Sequence, residues 1–269
     1  MEELISTRTM LPSMRVSAWN VAASQQLSPM IVVPKDAWHF EGEMRRAELI
    51  NVRALDINCA GATVERSASH VAQTRDTAFT LDLQLTGHSI VRQAGREARL
   101  SPGDFVITDN TRPHRVDFDE PVSMRLLRVP ASLFRQFVCF PEELVGIRVD
   151  GNSGTGMIAS RFIGSLWDSG TLGTFVAGVS HVERATLELI SGALAACRDC
   201  NSRNSSLISL HRVQIVEYIE CHLGEPTLTP ARVAAALRIS LRYVHRIFNN
   251  EAETVGRYIL RRRLEKAAE

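Results

Sequence analysis

The stretch LTPARVAAALRISLRYVHRIF, residues 228–248, contains two short helical patterns separated by a three-residue break. Thr229 is a good N-cap, and Pro230 suits the first helical position, where its missing N–H costs nothing. The alanines at 234–236 are small enough for a second helix to cross closely. The cap, the tight break and the small residues together predict a helix-turn-helix.

The second helical pattern separates a buried face from a polar face. Ser240 is placed to cap it, and its core positions at i, i+3 and i+4 are Val244, Ile247 and Phe248. Spacings of three and four residues put four polar side chains on one outward face: Arg242, His245, Arg246 and Asn249. A helix fits the major groove of DNA, where Arg can bond guanine and Asn can bond adenine. We therefore predict a base-reading face, and the alternative is an ordinary solvated face of a helical hairpin.

The overall composition of the 269 residues is that of a soluble globular protein of one or two domains, with 45% hydrophobic and 23% charged residues. The net charge of +1 conceals an asymmetry, because residues 207–269 hold ten basic residues against seven glutamates. A basic end on a mildly acidic body is typical of a part that binds a polyanion. No membrane span and no secretory signal are predicted. Five cysteines at irregular spacing favour a reducing compartment, and we expect the cytoplasm.

The N-terminal half carries strand patterns up to about residue 130. FTLDLQLTG, residues 79–87, alternates apolar and polar residues, which predicts one buried face and one wet face. Short strands at this spacing indicate a sandwich or barrel. Helical patterns follow at 131–137, 156–170 and 173–199, and the last has a wide apolar stripe expected to pack on its own domain or on a second subunit. The polar run at 197–206 is the predicted linker.

Residues 207–269 resemble the first half of the DNA-binding domain of the AraC/XylS family. The resemblance rests on the helix-turn-helix, on Phe248 after the second helix, and on a following signature: Thr254, Tyr258, Arg263 and Leu264. By position, it implies base contacts from the outward face of the second helix. Phosphate contacts are expected from five further residues: Ser240, Tyr243, Arg257, Arg261 and Arg262.

The resemblance has two departures. Arg238 stands where the family often has Gly in the turn. The family also joins two helix-turn-helix units by a long helix, and residue 269 falls inside that helix. Either the sequence is truncated or a dimer supplies the second recognition helix. A truncated regulator that dimerises but binds DNA poorly is therefore an alternative function.

Residues from about Trp19 to Val129 resemble, more weakly, the cupin-like effector or dimerisation domain of one branch of the same family, and the resemblance rests on residues 87–134. The expected fold class is α+β: an N-terminal cupin-like β-barrel or sandwich with flanking helices, then an all-α helix-turn-helix segment. The expected domains are 15–200, with its β part up to about 130 and its helical part at 131–200, and 207–269. The resemblance implies a small-molecule pocket inside the barrel. Trp38, Phe40 and Phe79 could line it, but no effector-binding residue is assigned.

Metal and catalytic motifs are missing from the sequence. The eight histidines include no His-x-His pair, and His114 alone is near a cupin ligand position, where a structural or pocket histidine is the favoured interpretation. The Cys-x-x-Cys spacing at 197–200 has no second pair, so incidental cysteines are favoured over zinc or redox chemistry. We predict no metal, no cofactor and no enzyme activity, with a cupin-type metalloenzyme as the remote alternative.

The predicted function is therefore an effector-responsive, sequence-specific transcription regulator. The expected partners are double-stranded DNA, a small-molecule effector, a second copy in a homodimer, and RNA polymerase if the protein is an activator.

Overall fold

The computed structural model describes residues 3–75, 77–168, 178–237, 239–248 and 254–268. The chain divides into two compact units, Met1–Arg198 and Asp199–Glu269. In the described part of the chain, none of the helices combines the length and the apolar character that crossing a bilayer requires.

The first unit is built on two antiparallel sheets. A six-stranded sheet has the order β1-β3-β4-β11-β6-β9, and a five-stranded sheet has the order β2-β5-β10-β7-β8. The strands are β1 (Glu3–Ser6), β2 (Ile31–Pro34), β3 (Gly42–Glu48), β4 (Arg53–Cys59), β5 (Ala62–Arg66), β6 (Ala78–Thr86), β7 (Ser89–Gln93), β8 (Arg96–Leu100), β9 (Phe105–Asp109), β10 (His114–Phe118) and β11 (Val122–Pro130). The last of these strands ends at Pro130, and the two antiparallel sheets followed by helices agree with the predicted α+β fold class.

Helices flank these sheets. They are α1 (Pro12–Gln26), α2 (Ala68–Ala72), α3 (Ala131–Phe137), α4 (Gly154–Asp168) and α5 (Val179–His222). Helices α3 and α4 agree with the patterns predicted at 131–137 and 156–170, whereas α5 begins within the pattern predicted at 173–199 and extends beyond it to His222. Leu187, Ile190 and Leu194 of α5 are buried in one cluster with the six-stranded sheet, so the apolar stripe packs on its own domain.

The first unit has two apolar cores on opposite faces of the six-stranded sheet. One core lies under α3, α4 and α5 and takes Phe79, Leu81 and Leu83 from β6. The other lies between the two sheets and takes Leu55 from β4 and Val116 from β10. Both faces of the six-stranded sheet are therefore covered.

The wet face predicted for β6 is wrong. Thr80, Asp82 and Gln84 are only 5%, 6% and 0% exposed. Their apolar neighbours in the strand pack outward under the helices, so the polar positions turn toward the space between the sheets. The alternation in the sequence is real, but the polar face points into the barrel instead of into water.

The predicted linker at 197–206 is helical, because α5 continues to His222. Ser, Asn and Arg cost well under ~1 kcal/mol each in a helix, so a polar run alone does not end one. The division between the two compact units falls within this segment, after Arg198.

The second unit contains the end of α5 and three further helices. These are α6 (Pro230–Ala236), α7 (Leu241–Phe248) and α8 (Val255–Ala268). One apolar cluster joins them, with Ile219 of α5, Val233 of α6, Val244 of α7 and Ile259 of α8 each at most 5% exposed. The helix-turn-helix predicted at 228–248 is confirmed as α6 and α7.

Candidate functional site

The turn between α6 and α7 is fixed by local hydrogen bonds. The Thr229 hydroxyl accepts from the backbone N–H of Arg232 at 3.3 Å and so caps α6. Ile239 N–H donates to the Ala234 carbonyl at 3.0 Å. The Ser240 hydroxyl accepts from the backbone N–H of Tyr243 at 3.2 Å, which caps α7. Both predicted caps are therefore present.

Helix α7 is oriented by its apolar side. Val244, Ile247 and Phe248 are 0%, 5% and 2% exposed, in agreement with the predicted core positions. Arg242 and His245 are exposed on the other side. Among the described residues, neither has a hydrogen-bond or ion-pair partner. They are available to an external ligand.

The other two predicted base-reading residues cannot be placed in this way. Arg246 lies within α7, but its side chain falls outside the described part, and Asn249 and Arg238 fall outside the described residues altogether. The structure thus brings Arg242 and His245 to one exposed face.

The residues predicted to contact phosphate differ in their environments. Ser240 is exposed and caps α7, and Tyr243 is half-buried against the core of the second unit. Arg257 is exposed in the first turn of α8. Arg261 is exposed, pairs with Glu265 at 2.8 Å and lies over the ring of Tyr258, 5.0 Å from its centroid.

Arg262 is held by carboxylates. Its Nε and Nη2 donate to the two oxygens of Glu220 at 2.7 and 2.9 Å. This bidentate pair joins α8 to the end of α5, and the guanidinium lowers the pKa of the Glu220 carboxyl. Glu265 also lies against this guanidinium. Arg262 therefore stabilises the second unit, which favours a structural role over the predicted phosphate contact.

Residues of the signature after α7 also stabilise this unit. Thr254 caps α8, with its hydroxyl accepting from Arg257 N–H at 3.4 Å. Tyr258 packs on Phe248, with ring centroids 5.7 Å apart, and its hydroxyl donates to Glu220 at 3.1 Å. The Arg263 Nε donates to the Leu223 carbonyl at 3.1 Å, just past the end of α5. The signature therefore holds α5, α7 and α8 together.

A second candidate site lies between the two sheets of the first unit. It is a cavity of about 70 Å³, with walls that are mostly apolar. Trp19 of α1, Met44 of β3 and Phe118 of β10 contribute to this wall. The Trp19 ring packs so closely on Gly42 that a Cβ added there would lie 2.6 Å from it. A large side chain at position 42 would therefore displace a wall of the cavity.

One part of the cavity wall is polar, formed by the ends of β6, β9 and β10. Its members are Thr80, Asp82, Thr108, Asn110 and His114. Asn110 is internally engaged, because it accepts from the Thr80 hydroxyl at 3.3 Å and donates to the Ser28 hydroxyl at 3.2 Å. Asp82 and His114 are the two titratable groups in this part of the wall.

Burial sets the protonation of these two groups. It raises the pKa of Asp82 to about 7, and a hydrogen bond with Thr108 partly offsets the shift. Burial also lowers the pKa of His114 to about 4, assisted by the nearby charge of Arg66 and opposed by a hydrogen bond to the Arg112 backbone. At neutral pH His114 is therefore uncharged, and Asp82 is close to its midpoint.

The aromatic residues considered from the sequence do not line this cavity. Trp38 is 66% exposed, while Phe40 and Phe79 belong to the two apolar cores. In the sequence, the cavity is indicated only by the alternation of polar and apolar residues in β6, which puts Thr80 and Asp82 on one face. Within the described ranges, His, Cys, Asp and Glu form no cluster of three that could hold a metal. The side chain of Cys200, needed for the Cys-x-x-Cys pair, lies outside those ranges.

Comparison with known proteins finds a matching domain family and two relatives. The AraC-binding-like domain matches residues 19–195, which include strands β2 to β11 and all the residues that line the cavity. The transcriptional activator NphR of Rhodococcus sp is 26% identical over 242 residues, covering 87% of this chain and 70% of NphR. An uncharacterised protein of the nit 5' region of Bacillus sp. (strain OxB-1) is also 26% identical, covering 91% of this chain and 97% of that protein.

A solved structure shares the fold over nearly the whole chain. The AraC-like transcriptional activator CuxR superposes with a TM-score of 0.64 at 18% identity, covering 99% of this chain and 95% of CuxR. With the domain match over most of the first unit and the helix-turn-helix in the second, the chain belongs to the AraC family, in the group that carries the AraC-binding-like domain.

Proposed function

We propose that this protein regulates transcription by placing α7 in the major groove of double-stranded DNA. The observation that carries the proposal is the exposed face of α7, where Arg242 and His245 have no partner among the described residues while the opposite face is buried. A free guanidinium can bond O6 and N7 of guanine together, and this is the commonest specific contact to a base. Family membership supports the same role.

Further contacts of this unit with bases and phosphates are proposed from the positions of its polar residues. From their spacing in the sequence, Arg246 and Asn249 are proposed to join Arg242 in reading bases, and Asn suits adenine. Ser240, Tyr243, Arg257 and Arg261 are proposed to contact phosphates, and these contacts fix the register of the helix. Arg257 is the strongest of these candidates, since it is exposed and has no partner among the described side chains. Arg262 is left out because Glu220 holds it.

The first unit is proposed to bind a small-molecule effector in the cavity between its sheets. The cavity is enclosed by apolar side chains and has a few polar groups at one end, as ligand pockets commonly do. We further propose that the protein acts in the cytoplasm as a homodimer and contacts RNA polymerase if it activates. A dimer would present two copies of α7 to two half-sites.

The experiment is selection of a duplex sequence from a random library by the whole chain, followed by fluorescence anisotropy titrations. Arg242→Ala should lose about 1–3 kcal/mol on the selected site, and it should relax the preference at one base pair. Arg184→Ala is the matched control, because it removes an exposed arginine from α5 in the first unit. Equal affinity of wild type and Arg242→Ala for selected and scrambled duplexes would refute the proposed role of α7.

A further inference from the structure

The polar part of the cavity wall offers hydrogen-bond acceptors. Thr80 and Asn110 bond each other, and Asn110 also bonds Ser28, so these groups are already engaged. The carboxyl group of Asp82 lines the cavity at 6% exposure. Above its pKa of about 7 this carboxyl is a carboxylate, which only accepts hydrogen bonds. A ligand group next to Asp82 is therefore complementary when it donates.

His114 adds a second acceptor. Its ring is uncharged at neutral pH, so only one ring nitrogen carries a proton. The backbone of Arg112 bonds the ring, whereas the buried Nδ1 has no partner among the described residues. With the ring proton directed to the Arg112 carbonyl from Nε2, Nδ1 carries the lone pair. It then accepts, as Asp82 does.

The cavity has no fixed cation to receive an anion. Of the residues that line it in the described part of the chain, none is Lys or Arg. Arg66 lies near, but it donates to the backbone carbonyls of Asn110 at 2.9 Å and Pro29 at 2.5 Å. An anionic ligand would face the Asp82 carboxyl without a counter-charge, which is unfavourable in an apolar enclosure.

The size of the cavity limits the ligand. About 70 Å³ is less than the roughly 150 Å³ of an engineered cavity that holds benzene. Met30, Met44 and Met124 are part of the wall, and methionine side chains adapt easily to a bound shape. A compact apolar body of a few carbon atoms fits without rearrangement, and movement of the methionines admits a ring.

We infer that the cavity binds a compact, largely apolar molecule with a hydrogen-bond donor head: an amine, which can donate to both Asp82 and His114, or a hydroxyl, which donates to one of them. The inference rests on the proposed effector role of the first unit and specifies its ligand class. An amine would in addition form an ion pair with Asp82, whereas a carboxylate of the same size is rejected.

The test uses four probes of similar size with the whole chain at about pH 8, where Asp82 is mostly ionised: 1-butanol, n-butylamine, 2-butanone and butyrate. Ligand-observed NMR titrations give their dissociation constants. The alcohol and the amine should bind at least about tenfold more tightly than the ketone, which only accepts, and than the anion, because one hydrogen bond to a charged or buried group is worth that much. Binding of butyrate or 2-butanone as tightly as 1-butanol, or of no probe at all, would overturn the inference.

Two variants assign the preference to residues. Asp82→Leu should abolish the preference for the donors, and His114→Gln should weaken it while the cavity is retained. Asp117→Asn is the matched control, since this carboxylate lies on β10 and pairs with Arg115 and Arg92 instead of lining the cavity. If the donor preference survives in Asp82→Leu, Asp82 does not select the ligand. The ordering of probes in the wild type tests the inference even if a variant fails to fold.

Failure of the ligand class and failure of the DNA-binding role are distinguishable. Anisotropy with the selected duplex, measured on the same preparations, reports α7 and does not depend on the probes. Probe binding without DNA binding would keep the ligand class and refute the regulator. DNA binding without a preference for the donor probes would keep the regulator and refute the ligand class.

Discussion

Asp82 and His114 oppose each other in their effect on stability. Burial raises the pKa of Asp82 from 3.8 to about 7, so the folded state holds a proton that the unfolded chain releases, and stability falls as pH rises from about 4 to 7. Burial lowers the pKa of His114 from 6.5 to about 4, so stability falls as pH drops through that window. The wild type therefore has a flatter pH profile than either group alone would give.

Replacing Asp82 exposes this balance. The free energy of unfolding of Asp82→Asn, relative to the wild type, should increase by about 4 kcal/mol between pH 4 and pH 7, because about three pH units at 1.4 kcal/mol each are removed. Urea unfolding followed by circular dichroism at a series of pH values measures it. His114→Gln should change the profile in the opposite direction, by about 3 kcal/mol. Profiles of both variants parallel to the wild type would contradict the two burial effects.

Individual site residues differ in how far the sequence predicts their surroundings. The exposed Arg242 and His245 were predictable because helical spacing separates them from Val244 and Ile247. Asp82 was predictable as a member of a polar face, but not as a cavity residue. A strand pattern states which residues share a face. Whether that face meets water or a cavity depends on helices that begin only at Ala131.

At the scale of the element, α8 carries arginines with different roles. Arg257 is exposed near its start, whereas Arg262 is clamped by Glu220. In titrations at several salt concentrations, Arg257→Ala should weaken binding uniformly across duplex sequences and reduce the slope of log affinity against log salt by about one. This change is the loss of one phosphate contact.

Arg262→Ala is the matched variant on the same helix. It should leave the salt slope unchanged and lower the stability of the second unit, because it removes a bidentate pair that joins α8 to α5. Thermal unfolding of Arg257→Ala and Arg262→Ala measures this difference in stability. A salt slope reduced equally by both changes would place Arg262 on the DNA as well.

The helices differ in how clearly their sequences predict where they begin and end. Helices α6 and α7 carry caps at Thr229 and Ser240 and a clear apolar period, and both were predicted. Helix α1 has a Pro at its start, but its pattern was not distinguished from the surrounding strands. The run at 197–206 has turn-forming residues and is nevertheless helical. Propensity differences of a few tenths of a kcal/mol are readily overridden by the continuing helix on each side.

At the scale of the whole molecule, each compact unit has its own apolar core. The clusters of the first unit draw on residues up to Leu194, with Cys197 packed against one of them, and the cluster of the second begins at Ile215. Helix α5 runs through both units. Separate cores predict separate cooperative units, because cooperativity follows from shared buried contacts.

Calorimetry of the whole chain should therefore resolve two unfolding transitions. Phe248→Ala should shift only the transition of the second unit, and Phe79→Ala only that of the first, each by the ~3–5 kcal/mol of a large-to-small change in a core. The two substitutions are matched, since both phenylalanines are 2% exposed. A single transition lowered equally by both would mean that α5 couples the two cores into one folding unit. A ligand of the barrel cavity should then raise the midpoint of that single transition, whereas with separate units it should raise the first alone.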